Sequence, residues 1–200
     1  MHKPTLLIVT GPQGSGNHLF SKILSKHKDV YGWKMNMYWE GHHEEPFNYY
    51  WNFPLELKNF AWKKYKYIFT SISCPYFKNG VMQVPNYHNF ITNAMQFANI
   101  KIAIIGRDQN ILKYQQSRVR GQKTTDIFKD NLDYLMRYNP IFISQELYQL
   151  YGNDYLQSIS SYLEFPIAQQ VIHPDANAKY FKEVDPQPLD KIIQKVSHDS

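Results

Sequence analysis

The fold of this chain is decided by residues 5–20, which read TLLIVTGPQGSGNHLF. The apolar run at residues 6–9 predicts a buried strand, and the glycine-rich residues 11–16 predict a tight turn directly after it. Apolar residues then repeat at helical spacing over residues 19–24. A strand–turn–helix unit of this kind directs several backbone N–H groups and the positive end of a helix dipole at one place, which suits a phosphate.

The glycine spacing of this turn is that of a P-loop, but two residues depart from the form that binds nucleoside triphosphates. Asn17 stands where the Walker lysine belongs, and His18 replaces the Ser or Thr that holds magnesium. We therefore expect a phosphate-binding loop that lacks the parts used in ATP or GTP chemistry. An ordinary strand-to-helix turn is the alternative interpretation.

The bulk composition restricts the class of protein. Two hundred residues favour one domain, and a chain that is 43% hydrophobic and 20% charged is typical of a folded globular protein. The net charge of +5 fits an anionic ligand, but the basic residues are not clustered as on a nucleic-acid-binding face, so we expect no nucleic-acid partner. Cys74 is the only cysteine, which excludes intrachain disulfides and a cysteine-based zinc site.

No apolar run approaches 18 residues, and the first strand begins by Thr5, so we expect no membrane span, no signal peptide and a cytoplasmic location.

Short apolar strands alternate with helical repeats along the rest of the chain. Further strands are predicted at residues 30–33, 67–72, 100–106 and 141–143, and further helices at about 54–64, 90–98, 111–118, 155–163 and 189–196, with one more beginning at 125. This alternation is typical of an α/β domain with a parallel sheet. We predict a single three-layer domain over residues 1–200, with a central parallel sheet of four to five strands. Its core spans about residues 5–166, and residues 167–200 form a tail that packs on the core.

Arg107 comes directly after the clearest strand that follows the first, and Ser117 lies one helix later. Because ligands of parallel sheets bind at the carboxyl ends of the strands, we expect Arg107 and the glycine loop at the same edge. An arginine there can make a bidentate contact with a second phosphate. A surface ion pair between Arg107 and Asp108 or a neighbouring carboxylate is the alternative.

Together these motifs resemble those of the sulfotransferase family that uses 3′-phosphoadenylyl sulfate (PAPS). Residues 11–18, GPQGSGNH, are similar to its 5′-phosphosulfate loop, and residues 104–108 with Ser117 look like its 3′-phosphate motif. The stretch 67–77 resembles its middle strand and following turn, and the likeness extends over about residues 5–166. The resemblance implies a P-loop NTPase-like sulfotransferase architecture, PAPS as co-substrate and no metal.

The resemblance also implies a set of donor-binding residues. These are Gln13, Gly14, Ser15, Gly16, Asn17, His18, Arg107, Gln115 and Ser117. Ser117 lies ten residues after Arg107, further than is usual in the family, and Gln115 competes with it because it stands at the usual spacing. The family's catalytic lysine falls at Gly14, so another cation must replace it, and the candidates are Lys22, Arg118 and His18.

An acidic and histidine-rich cluster, EGHHEE, occupies residues 40–45. Transfer of a sulfuryl group to a hydroxyl requires a base that accepts the acceptor's proton, and Glu40, His42 or His43 would serve. A solvated polar loop and a metal site are the alternatives, although the cluster shows no third spaced ligand. With His18, these residues form the catalytic set that we predict.

The sequence therefore predicts a sulfotransferase that moves a sulfuryl group from PAPS to a hydroxyl or amine of an unidentified small-molecule acceptor, a carbohydrate among the candidates. Two alternatives stay open: a P-loop nucleotide kinase or NTPase, and a non-catalytic nucleotide-binding module. Titration with adenosine 3′,5′-bisphosphate without magnesium separates the first alternative from a sulfotransferase, and turnover separates the second.

Overall fold

A five-stranded parallel sheet forms the centre of the structure, a computed structural model that describes residues 3–33, 47–78, 80–120 and 124–169. The sheet strands are β1 (Thr5–Pro12), β2 (Val30–Tyr31), β3 (Tyr67–Cys74), β6 (Asn99–Gly106) and β7 (Ile141–Ser144), and a separate antiparallel hairpin consists of β4 (Tyr76–Lys78) and β5 (Val81–Gln83). The order across the sheet is β2-β3-β1-β6-β7, with every pair parallel. The predicted α/β class and the parallel sheet of four to five strands are confirmed.

Helices cover both faces of the sheet and give three layers. They are α1 (Asn17–Leu24), α2 (Asn48–Asn52), α3 (Tyr87–Ala94), α4 (Gln109–Arg120), α5 (Thr125–Met136) and α6 (Gln145–Leu163). Leu6 and Ile8 of β1 face a core packed by α2, α3 and α5, while Leu7 and Val9 face a second core packed by α1 and α6. Because β1 is buried on both faces, it needs the continuous apolar run that the sequence displays.

The helix predicted over residues 54–64 is wrong in type. The chain forms two short 3₁₀ helices there, Pro54–Asn59 and Trp62–Lys64, with Phe60 in extended conformation beside them. The indole of Trp62 donates a hydrogen bond of 2.7 Å to the Leu57 carbonyl, and the Phe60 amide also donates to this carbonyl. In an α-helix the amide of residue 61 would donate to the Leu57 carbonyl. Here the Trp62 indole and the Phe60 amide donate to it instead.

Helix α1 and the residue after it carry a buried polar stripe. Asn17, Ser21 and Ser25 lie at intervals of four residues and are all buried. The hydroxyl of Ser21 lies 2.7 Å from that of Ser71, and the amide of Asn17 donates to the Ser73 hydroxyl at 2.8 Å. These bonds tie α1 to the carboxyl end of β3.

The chain leaves β1 and β3 on opposite sides of the sheet. Helix α1 follows β1 onto one face, and α3 follows β3 onto the other. A crevice opens at the carboxyl edge of a parallel sheet where connections diverge in this way, and such crevices are the usual ligand sites of α/β proteins. The predicted last helix at 189–196 and most of the 167–200 tail lie outside the described residues.

Candidate functional site

The glycine loop spans residues 13–16, between the end of β1 and the start of α1. The Ser15 amide donates to the Pro12 carbonyl at 3.1 Å, which closes the turn. Gly16 is the residue that precedes α1, with a φ of 111°, and no side chain caps the helix. Within the described part of the chain, the N–H groups of Gly14, Gly16 and Asn17 find no protein acceptor. These donors suit an anion at the loop.

The backbone of Gly14 explains why glycine stands at this position. Its φ is 88°, in the left-handed region that L side chains rarely adopt. A lysine at this position would strain the loop as it is folded here. The conformation of the turn therefore favours glycine at residue 14.

The carbonyl groups of the loop are held from the side of the sheet. The Gln116 side-chain amide donates to the Gln13 carbonyl at 2.8 Å, and Arg107 Nη1 lies 3.5 Å from the Gly14 carbonyl. The same guanidinium nitrogen donates to Gln145 Oε1 at 2.7 Å. Side chains from three different elements thus meet beneath the loop.

The structure brings Arg107 to the glycine loop, as its place after β6 led us to expect. The residue is 7% exposed, and its Nε lies 3.7 Å from a carboxylate oxygen of Glu146. Glu146 in turn accepts from the Asp108 amide at 3.2 Å. The Asp108 carboxylate accepts from the Ile111 amide, which caps the start of α4. Arg107 is therefore a buried group under the loop that pairs with a neighbouring, partly exposed carboxylate, that of Glu146.

The other predicted donor-binding residues divide by burial. Ser15 is fully buried and Asn17 is 6% exposed, and neither Ser15 Oγ nor Asn17 Oδ1 has a hydrogen-bond partner among the described residues. His18 is exposed on the first turn of α1, and Ser117 is exposed on α4. The Gln115 side chain lies outside the described residues.

Sequence reasoning missed Gln116, which is 2% exposed and contacts the loop. The signal was present in the helical period, because Gln116 lies four residues after Leu112, a buried residue of the same helix. The resemblance to the sulfotransferase motif predicted its neighbours Gln115 and Ser117 instead.

The remaining catalytic candidates are not brought to the loop by the described structure. The exposed ammonium of Lys22 lies 5.8 Å from the centre of the Trp33 ring, and the Arg118 side chain is outside the described residues. Glu40, His42 and His43 also fall outside them. The role of a base in this cluster stays a prediction.

A buried polar group supports the ends of β1 and β3 beside the site. Thr10 donates to the Ile72 carbonyl at 2.8 Å and accepts from the Tyr87 hydroxyl at 2.6 Å. Burial raises the pKa of Tyr87 well above its ordinary value, and burial likewise raises the pKa of the Cys74 thiol to about 11. Both groups keep their protons at neutral pH, so Cys74 is poorly suited to act as a nucleophile.

In the ranges that the structure describes, no three His, Cys, Asp or Glu side chains are grouped as metal ligands would be. None of the helices described is both long and apolar enough to span a bilayer. No protein-family model matches the sequence, and no curated protein matches it either.

Proposed function

We propose that this chain is a PAPS-dependent sulfotransferase with a P-loop-like donor site. The observation that supports it best is the meeting of two sequence motifs at one sheet edge. The glycine loop follows the central strand β1, and Arg107 follows the neighbouring strand β6 and lies 3.5 Å from the Gly14 carbonyl. The loop presents amides, while Asn17 and His18 occupy the positions of the ATP-type lysine and magnesium-binding hydroxyl.

The donor would bind through groups at the loop. The N–H groups of Gly14 and Gly16, with the dipole of α1, are placed to hold the 5′-phosphosulfate and to stabilise charge on its bridging oxygen. A half-turn of the Asn17 amide would let Ser73 donate to Oδ1 and would direct Nδ2 to the anion. The positive charge of Arg107 lies directly under the loop and favours a second phosphate at this edge.

The reaction would be an in-line displacement at sulfur. A bond from the acceptor oxygen or nitrogen to sulfur forms while the bond from sulfur to the bridging phosphate oxygen breaks. The leaving group is adenosine 3′,5′-bisphosphate, and the acceptor's proton passes to a base, for which Glu40, His42 and His43 are the candidates. Positioning of the two reactants would supply much of the rate.

A non-catalytic nucleotide-binding module is the second candidate, and Gly14 favours it. The positive φ of this residue excludes a relaxed lysine at the place where the family's cation acts. In that case the loop would bind the bisphosphate and turnover would be absent.

Calorimetric titration with adenosine 3′,5′-bisphosphate in the presence of EDTA tests the donor site, and ADP with magnesium is the comparison. Binding of the bisphosphate without metal supports the proposal, whereas a preference for ADP with magnesium would favour a kinase or NTPase. Transfer of labelled sulfate to a panel of hydroxyl and amine acceptors then separates the enzyme from the module.

The substitution Arg107→Ala is expected to abolish bisphosphate binding, because it removes the buried charge beside the loop. Arg137→Ala is the matched control, since Arg137 is an exposed arginine at the end of α5 and its loss changes the net charge equally. Thermal unfolding of both variants checks that they are folded. Undiminished affinity in a folded Arg107→Ala variant would show that this arginine does not bind the donor.

A further inference from the structure

Gln116 joins the glycine loop to the start of α5 through both ends of its amide. The nitrogen Nε2 donates to the Gln13 carbonyl at 2.8 Å. The oxygen Oε1 accepts from the Thr124 amide at 2.9 Å and from the Thr125 hydroxyl at 3.2 Å. A side chain that is 2% exposed and bonded in this way has one orientation, because turning the amide over would break its bonds to the Gln13 carbonyl and to the Thr124 amide.

The bond to the Gln13 carbonyl fixes the peptide between Gln13 and Gly14. In a planar trans peptide the C=O and N–H groups point in opposite directions. Since Gln116 holds the oxygen toward α4, the Gly14 N–H must point away from α4. A reversed peptide would exchange these directions and present a carbonyl oxygen where the amide now lies, and an oxygen there would repel an anion.

Glycine at residue 14 makes such a reversal accessible. Gly14 has a φ of 88°. Glycine adopts positive and negative φ values about equally readily, so its backbone conformational preference does not favour either peptide orientation strongly. The following carbonyl, that of Gly14, is approached by Arg107 at 3.5 Å, and the following amide, that of Ser15, donates to Pro12. The Gln13–Gly14 peptide is therefore held in its orientation by the side-chain contact from Gln116.

We infer that Gln116 is a positioning residue of the anion site. It holds the Gln13–Gly14 peptide so that the Gly14 N–H is a donor to a phosphate-bearing ligand. The inference rests on the phosphate-binding loop of the proposed function, and the ligand class it names is the pyrophosphate-like group of a nucleotide or sulfonucleotide. It does not depend on which group is transferred.

The substitution Gln116→Glu tests this role selectively. Glutamate keeps an oxygen that accepts from Thr124 and Thr125, but it removes the donor to the Gln13 carbonyl and adds a negative charge. Gln109→Glu is the matched control, because Gln109 is an exposed glutamine of the same helix and its replacement adds the same charge. We expect pyrophosphate to bind Gln116→Glu about tenfold more weakly than the unmodified chain, as for the loss of one hydrogen bond to a charged group. Binding to Gln109→Glu should be nearly unchanged.

The amide resonance of Gly14 in a ¹⁵N–¹H NMR spectrum is the readout that a merely structural role would not move. Pyrophosphate should shift it in the unmodified chain and in Gln109→Glu, and the shift should shrink in a folded Gln116→Glu variant. Equal pyrophosphate affinity in Gln116→Glu and the unmodified chain overturns the inference. If Gln116→Glu does not fold, the NMR titration of the unmodified chain tests the inference. A Gly14 amide resonance that does not shift when pyrophosphate is added also overturns the inference.

Failure of the proposed function has a different signature. If the Gly14 resonance responds and Gln116→Glu binds weakly, the positioning role stands even where labelled PAPS gives no sulfuryl transfer. If transfer occurs and Gln116→Glu is indistinguishable from the unmodified chain, the sulfotransferase stands and the role of Gln116 falls.

Discussion

Replacing Gly16 with alanine should destabilise the protein far more than an ordinary glycine substitution. Gly16 has a φ of 111°, and strain of this kind in another residue costs about 1–3 kcal/mol. A Cβ at this position would also lie 2.7 Å from Gln145 Oε1, which real Cβ atoms do not tolerate. Gln145 would have to move and would lose the hydrogen bond from Arg107.

The loss of that hydrogen bond adds to the free energy that the strain costs. A hydrogen bond from a charged, buried donor is worth about 1.5–3 kcal/mol, so with the strain the expected total is about 2.5–6 kcal/mol. Gly80 provides the matched control, because its φ is 76° and a Cβ there would meet nothing within 4 Å. Gly80→Ala should therefore show strain alone, about 1–2 kcal/mol.

Urea unfolding followed by circular dichroism measures both variants, with linear extrapolation to water. Gly16→Ala should unfold at a clearly lower urea concentration than Gly80→Ala. If the two variants lose the same free energy of unfolding, Gln145 does not lie against Gly16 in solution while accepting the hydrogen bond from Arg107.

Two further predictions concern the polar group at the ends of β1 and β3. Because burial raises the pKa of the Cys74 thiol from 9.0 to about 11, the unfolded chain releases this proton at lower pH than the folded chain, so stability should fall as pH rises from 9 to 11. The free energy of unfolding of Cys74→Ala, measured by urea unfolding, should fall less steeply with pH across that window. Parallel pH profiles of Cys74→Ala and the unmodified chain would contradict a raised pKa for this thiol. Tyr87→Phe removes the hydroxyl that donates to Thr10 at 2.6 Å and should reduce the free energy of unfolding by about 1–2 kcal/mol, since Thr10 keeps its bond to the Ile72 carbonyl. Tyr151→Phe, on a ring that is 62% exposed, should change nothing, and equal losses in the two tyrosine variants would exclude a special role for the buried bond.

The local sequence pattern predicted the structure correctly where burial or backbone conformation restricts the residue types at consecutive positions. The strand β1 is recognisable because both of its faces are buried, which demands consecutive apolar residues. The turn after it is recognisable because positive φ angles at Gly14 and Gly16 favour glycine. The meeting of Arg107 with the loop followed from a topological rule about the carboxyl ends of parallel strands.

The pattern failed where a residue's partner is distant in sequence. Ser25 looks like a solvent-facing helix residue, because nothing local reveals that Asn17 and Ser21 of the same stripe bond to serines of β3. The 3₁₀ pieces after Pro54 depend on the indole of Trp62 reaching the Leu57 carbonyl, which periodicity does not describe. In the second case a side-chain hydrogen bond overrides the local preference of the backbone.

The sequence by itself determined the kind of site, a glycine loop at the end of a buried central strand, because backbone conformation and strand burial leave marks on composition. Only the tertiary structure decided which groups shape that loop. Gln116 and Gln145 come from α4 and α6, and Arg107 lies 93 residues from the carbonyl it approaches. Hydrogen bonds between distant side chains and backbone depend on angle and distance in three dimensions, and these are fixed only when the sheet and its helices have packed.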